Sequence, residues 1–201
     1  MNFSAPETRL SLLVRIGDLA DQVAWEEFVN LYEPVIYRTA RLRGLQDADA
    51  RDVTQQVLVA VGQTLNRRPH DPHIARFRTW LATVTRNAVI DLLRRKRADR
   101  GSGDSATQWH LEQVEASHCD AELLEREYQK ELFRCAARTI EGEFSPSTWQ
   151  AFWLSTVEGR SIELVASELN QRVGSVYAAR SRVIRRLRQE TTRLQNLESG
   201  E

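Results

Sequence analysis

The sequence has few of the residues that break helices or cross-link chains. Its 201 residues include only nine glycines, five prolines and two cysteines. Cys119 and Cys135 form neither a Cys-x-x-Cys pair nor a disulfide framework, which is typical of a reducing compartment. No hydrophobic run approaches the ~20 residues of a membrane-spanning helix, and the N-terminal stretch lacks a signal peptide's apolar segment. We therefore expect a cytoplasmic protein with no membrane contact.

The residues that are abundant favour helices. Alanine, leucine, arginine, glutamate and glutamine are strong helix formers, and the 41% hydrophobic content is enough for modest cores. Domains commonly contain ~100–150 residues, so this length allows two small ones. Composition therefore predicts an all-α fold and disfavours an all-β one.

Charge is unevenly distributed although the formal net charge is zero. Residues 76–100 carry eight basic and two acidic side chains, and residues 172–193 carry seven basic and one acidic. Residues 112–131, between them, carry seven acidic and two basic side chains. Two separated basic blocks indicate two surfaces that could contact nucleic acid.

Hydrophobic periodicity and turn residues divide the chain into two helical domains. Residues 66–73, with two prolines, are predicted to form a loop, and the Gly/Ser-rich stretch at 101–117 is predicted to be a flexible linker. This places one domain at 1–100 and another at 118–201. The predicted helices span about 7–18, 22–42, 47–65, 74–97, 118–140, 146–157, 162–169 and 175–194.

The last two helices have the pattern of a helix-turn-helix. Ser161 can cap the first of them, and residues 170–174 are long enough to turn the chain. Apolar residues of the second recur at helical spacing, which leaves a polar and basic face outward. That face comprises Ser175, Tyr177, Ala178, Arg180, Ser181, Arg182 and Arg185. Such a face suits the DNA major groove, where arginine can read guanine; the alternative is an amphipathic helix with a solvated arginine face.

The helix at 74–97 combines an amide with a dense run of cations. Asn87 could hydrogen-bond an extruded base, and the cations could hold a strand's phosphates. These cations are Arg86, Arg94, Arg95, Lys96 and Arg97. The alternative is that Asn87 only solvates a helix face. Trp80 lies beside Leu81 and near Phe77, which favours a role in the core.

Three segments together resemble the extracytoplasmic-function (ECF) members of the sigma-70 family. Asp52 to Leu58 is similar to the family's Asp-x-x-Gln-Glu helix, with Gln56 in place of the usual acid. Phe77 to Arg95 is similar to its Phe, Trp-Leu, Asn and Asp-x-x-Arg-Arg helix. Gly159 to Val176 is similar to its C-terminal reader, with Leu164 replacing a common glutamate and Ser175 a common threonine.

The resemblance implies two helical domains, sigma-2-like and sigma-4-like, and a role in transcription initiation. It implies that Asp49, Asp52, Gln55 and Gln56 bind the clamp coiled coil of the polymerase β′ subunit. The Asn87 helix would read and melt the minus-ten element, and the helix-turn-helix would read the minus-thirty-five element. Further implied partners are promoter DNA, the β flap and an anti-sigma factor. No cofactor is implied.

Other classes of function have less support in the sequence. Asp47, Asp49 and Asp52 could form a metal or acid–base cluster, but acids at a helix start are usually caps and dipole partners. We assign no metal site and no enzymatic activity, since neither a phosphate-binding glycine loop nor a nucleophile with its base is recognisable. The nearer alternative is a two-domain regulator that binds duplex operator DNA without joining polymerase.

Overall fold

A computed structural model describes residues 12–18, 20–67, 77–100 and 120–199, and these residues are helical with no strand among them. The predicted all-α fold is confirmed. The α-helices are α1 (Leu12–Arg15), α2 (Gln22–Leu42), α3 (Asp47–Arg67), α4 (Phe77–Arg100), α5 (Asp120–Ile140), α6 (Pro146–Phe152), α7 (Ile162–Glu168) and α8 (Val173–Ser199). None of these helices has the length and apolar character that crossing a lipid bilayer requires.

Helices α2 and α3 begin and bury residues as their sequences predict. Asp21 caps α2, its carboxylate accepting a hydrogen bond from the Ala24 amide at 2.9 Å. In α3, Val53, Val57 and Val61 recur at four-residue spacing, and all three are fully buried. One face of α3 therefore packs inward, and the opposite face remains available to a partner.

The first compact unit runs to Glu131 and so includes the start of α5. Its centre is aromatic, with Phe28 and Tyr32 of α2 stacked at 4.7 Å between ring centroids. Phe77 of α4 meets the Tyr32 ring edge-on at 5.5 Å, and Tyr128 of α5 stacks on Tyr32 at 5.7 Å. The buried rings join α2, α4 and the start of α5 in one core.

The second compact unit comprises Leu132–Asn196. Ser145 caps α6, with Pro146 in its first turn as predicted. The predicted single helix to Val157 is wrong in detail, because the chain changes to a π-helical turn at Trp153–Val157. There the Ser155 hydroxyl donates to the Ala151 carbonyl at 2.6 Å, and the Glu158 amide bonds to the Trp153 carbonyl five residues earlier.

Several predicted boundaries need correction. Helix α1 ends at Arg15, before the predicted residue 18. Asn66 and Arg67 belong to α3 and not to a loop. Helix α8 begins at Val173, because the Arg172 carbonyl accepts from the amides of Ser175 and Val176, which shortens the predicted turn. It also continues beyond residue 194, to Ser199.

The predicted linker at 101–117 and the rest of the predicted loop, 68–73, lie outside the described residues. Along the chain, the boundary between the first compact unit and the second falls within α5, between Glu131 and Leu132. The proposed division into domains 1–100 and 118–201 stays a prediction. The observed division shows that residues 120–131 contribute to the core of the first unit.

Candidate nucleic-acid interface

Helices α7 and α8 form a helix-turn-helix with a short, well-bonded turn. Ser161 caps α7 by accepting from the Leu164 amide, and Asn170 turns the chain with φ 50°. The Gln171 amide then bonds to the Ala166 carbonyl at 2.8 Å. Ile162, Val165 and Ala166 of α7 form one apolar cluster with Val176 and Ala179 of α8. The cluster fixes which face of α8 points outward.

The outward face of α8, here called the recognition surface, contains the residues predicted to read the minus-thirty-five element. Arg180 is half-buried and the others are exposed: Ser175, Tyr177, Ala178, Ser181, Arg182 and Arg185. No acidic residue occurs in residues 172–189. Within the described structure, the side chains of Arg180, Arg182 and Arg185 form no ion pair, so their charge is available to phosphate or guanine.

Arg186 of the same helix has a different environment. Its Nε and one terminal nitrogen each donate to the Glu143 carboxylate at 2.7 Å, and its other terminal nitrogen donates to the Glu190 carboxylate at 3.1 Å. The hydrogen bond to Glu143 is the main reason that the pKa of Arg186 is raised. Glu190 is buried, and its pKa is lowered, chiefly by its hydrogen bond from Arg193. Arg186 therefore links α8 to the segment between α5 and α6, and it is not part of the recognition surface.

In the first unit, the exposed side of α4 forms an open cavity of about 400 Å³. Arg86, Asn87, Ile90, Asp91 and Arg94 line it, so the lining is mostly polar, and Ile90 is buried. We call this cavity, together with Arg95 and Lys96, the strand surface. The Asn87 amide is exposed at its edge. An amide with flanking cations can bind one unstacked base and its phosphates, and the Asp91 carboxylate on the same lining keeps phosphate towards the arginines.

Three of the predicted cations on the strand surface bond to groups within the first unit. Arg86 Nε lies 3.2 Å from an Asp120 carboxylate oxygen. Lys96 Nζ lies 2.5 Å from the Asp49 carboxylate, and Arg95 donates to the Gln56 side-chain oxygen at 3.3 Å. The side chain of Arg97 lies outside the described part of the chain.

The same bonds bear on the residues predicted to bind polymerase. Asp52, Gln55 and Gln56 are exposed on α3, whereas the Asp49 side chain is only 16% exposed. Val59 lies one turn beyond Gln55 and is 56% exposed. We call Asp52, Gln55, Gln56 and Val59 the docking face. The sequence analysis did not predict that Val59 is exposed, because it lies among the core valines 53, 57 and 61. Val59 does not share their four-residue spacing, and that difference could have identified it as an outward residue.

The start of α5 supplies acidic partners to the first unit's arginines. Asp120 pairs with Arg43 as well as Arg86, and Glu125 bonds to Arg78 at 2.6 Å. Buried Glu127 and Glu131 both bond to Arg38. Burial opposes ionisation of Glu127, but Lys130 and Arg38 outweigh it, so the pKa of Glu127 is lowered. Part of the acidic segment thus neutralises basic residues of the first unit.

The second unit has an apolar groove that the sequence did not reveal. Phe133 and Ala137 of α5, with Trp149 and Trp153, line an open cavity of about 530 Å³. Phe152 is fully buried, as expected for a core residue, but Trp153 is 37% exposed. In the sequence, the two tryptophans had the same spacing as core residues, so their position at a groove could not be distinguished.

Comparison with known proteins agrees with this geometry. Residues 28–99, which include α3 and nearly all of α4, match sigma-70 region 2. The chain is also 29% identical over 171 residues to the ECF RNA polymerase sigma factor SigE of Mycolicibacterium smegmatis. That match covers 84% of this chain and 61% of the relative, so the chain spans less than two thirds of that protein's length.

Residues 28–99 are thus similar to sigma-70 region 2, and the chain as a whole is similar to a relative that is an ECF sigma factor. Sigma-70 region 2 contains both the docking face and the strand surface, whereas the recognition surface lies beyond residue 99. The individual site residues stay predictions.

Proposed function

We propose that this chain recruits RNA polymerase core to promoters and assists strand opening. The observation that carries the proposal is the sigma-70 region 2 match, within which α4 presents Asn87 at an open cavity beside several cations. In this role the protein performs no bond chemistry of its own. Polymerase catalyses synthesis, and binding of extruded bases offsets the cost of unpairing the duplex.

Each surface has a separate part in the proposed function. The docking face binds the β′ clamp coiled coil through polar side chains around exposed Val59. The recognition surface binds the minus-thirty-five element as duplex, and the strand surface binds the minus-ten element as single strand. Because each surface is small, simultaneous engagement on polymerase supplies the affinity that each lacks alone.

We assign the β flap to the apolar groove of the second unit. Trp149 and Trp153 give this groove two aromatic walls, and aromatic side chains in pockets are frequent anchors of protein interfaces. Trp153→Asp would weaken association with a β-flap fragment without unfolding the unit, because Trp153 is partly exposed. Unchanged flap affinity in a pull-down with the folded variant would place the contact elsewhere.

Run-off transcription tests the proposal directly. The full chain is mixed with bacterial core polymerase and a library of promoter sequences, and transcripts are sequenced. We expect a discrete set of promoters that depends on the added chain, and its loss with Asp52→Arg. Absence of chain-dependent transcripts, together with tight binding of duplex DNA by the chain alone, would instead establish the operator-binding regulator that the unpaired recognition surface also permits.

A further inference from the structure

The tip of the recognition helix differs from the rest of its outward face. From Val173 to Ala179 the helix carries no charged side chain, and its arginines begin at Arg180. Tyr177 is 53% exposed and Val173 is 42% exposed. These two residues are one turn apart and therefore lie on the same flank of the helix. A recognition helix places such N-terminal residues against base edges.

Gly174 gives a second, independent observation about the tip. A Cβ added to Gly174 would meet no atom within 4 Å, and its φ is not positive. Neither packing nor backbone conformation in the described structure requires glycine there, although glycine in a helix is less favourable than alanine. Gly174 and exposed Ala178 lie one turn apart between the flanks of Tyr177 and Arg182. They leave room for another molecule to approach the helix closely.

We infer that the tip of α8 reads a thymine, with the Tyr177 ring packed on the thymine 5-methyl group and Gly174 and Ala178 allowing close approach to the major groove. This inference rests on the proposed function and specifies how the upstream element is recognised. The major groove exposes the thymine methyl as an apolar group, which a neutral tip can contact without desolvating a charge. Arg180, Arg182 and Arg185 of the recognition surface then contact phosphate or guanine, since residues 173–179 carry no cation.

The chemistry favours thymine over the other bases. Adenine and cytosine each present an amino donor and no methyl, and guanine presents two acceptors that call for an arginine or lysine. The apolar surface of Val173 and of the Tyr177 ring finds a matching apolar group only on thymine, and the single Tyr177 hydroxyl cannot supply the two donors that guanine calls for. Val173 widens this flank and excludes water from the methyl contact.

Replacing thymine by uracil tests the inference, since it deletes only the methyl group. Sequences bound by the full chain, with and without core polymerase, are selected from random duplex DNA. Each thymine of the upstream element is then changed singly to deoxyuridine. We expect one thymine at which the change weakens binding about four-fold, the value of one buried methyl. Tyr177→Ser should abolish that sensitivity, Tyr177→Phe should retain it, and Gln189→Ala, about three turns further along the exposed face, should leave it unchanged.

Gly174→Ala tests the close approach separately. The variant should melt at the same or a higher temperature and yet bind the selected DNA several-fold more weakly. Unchanged DNA affinity of Gly174→Ala, or uracil tolerance at every position of a promoter that the chain still uses, would overturn the inference and leave the proposed function intact. If no sequence is selected in either arm, both the inference and the proposed function fall.

Discussion

The strand surface of the first unit and the recognition surface of the second differ in what their cations contact. Arg86 forms an ion pair with Asp120, Lys96 bonds to Asp49, and Arg95 bonds to Gln56. Arg182 and Arg185 have no such partner within the described residues. The cations of the recognition surface can therefore bind duplex DNA directly. On the strand surface, DNA phosphates must compete with protein groups for the cations.

The difference has a consequence for the order of events. Gln56 is on the docking face and Asp49 lies in the first turn of the same helix, so residues predicted to meet polymerase hold two cations predicted to meet DNA. A partner on α3 would change the surroundings of Arg95 and Lys96. The comparison therefore suggests that docking on polymerase precedes strand capture, with recruitment through the recognition surface independent of it.

The largest expected effect is at the docking face. Asp52→Arg reverses a charge on an exposed residue, so helicity should be preserved while affinity for core polymerase falls by about 30-fold, since unfavourable charge pairs cost several kcal/mol. Thr64→Arg, also exposed but three turns along α3, is the matched control. Fluorescence anisotropy of labelled chain against core polymerase measures both. Equal affinities for the two variants would remove Asp52 from the interface.

A smaller effect is expected at the strand surface. Asn87→Ala should leave polymerase binding and duplex recruitment intact but slow open-complex formation by about tenfold, as one lost hydrogen bond to a base predicts. A pre-melted promoter bubble should restore part of the rate. Permanganate footprinting, with exposed Thr83→Ala as control, reports the opening. Normal opening by Asn87→Ala would leave Asn87 as a solvated residue.

The recognition surface should lose discrimination and not general affinity. Arg182→Ala should reduce the preference for one base pair by about tenfold, within the range of ~1–3 kcal/mol for a bidentate arginine contact. Arg185→Ala, if it contacts phosphate, should weaken all promoters alike. Competition binding across single-base variants separates the two patterns. Equal losses on every sequence would make Arg182 a positioning contact.

The sequence predicted the helices well and the side-chain contacts between helices poorly. The buried stripe of α3 and the caps at Asp21 and Ser161 follow from local spacing, so they were recoverable from one segment at a time. The bonds of Lys96 to Asp49 and Arg86 to Asp120 join residues far apart in the chain. No periodicity reports such a contact. The π-helical turn at Trp153 also depends on tertiary packing, as does the exposure of Trp153.

The bond between Lys96 and Asp49 predicts that loss of a cation destabilises the protein on the strand surface but not on the recognition surface. Lys96→Ala should lower the free energy of unfolding of the first unit by about 1 kcal/mol, because the pair is partly buried but screened by solvent. Arg185→Ala removes an exposed cation that has no carboxylate partner among the described residues, so it should leave stability unchanged. Urea denaturation followed by circular dichroism measures both. Equal stability of the two variants would mean that the bond to Asp49 does not stabilise the first unit, and that Lys96 can contact DNA without loss of stability.

The smallest effect is expected from Asp120, and it tests the competition itself. Asp120→Asn removes the carboxylate shared by Arg43 and Arg86, so the affinity for single-stranded promoter DNA should rise by about threefold at low salt, where phosphate contacts are strongest. Glu122→Gln removes the same charge from an exposed position in the same helical turn, without an ion pair among the described residues. A general effect of net charge would raise affinity equally in both variants, whereas release of Arg86 would raise it only in Asp120→Asn. Thermal melting of each variant distinguishes release of Arg86 from loosening of α5. Equal affinities in the two variants would mean that the acidic start of α5 stabilises the first unit without restraining its contact with DNA.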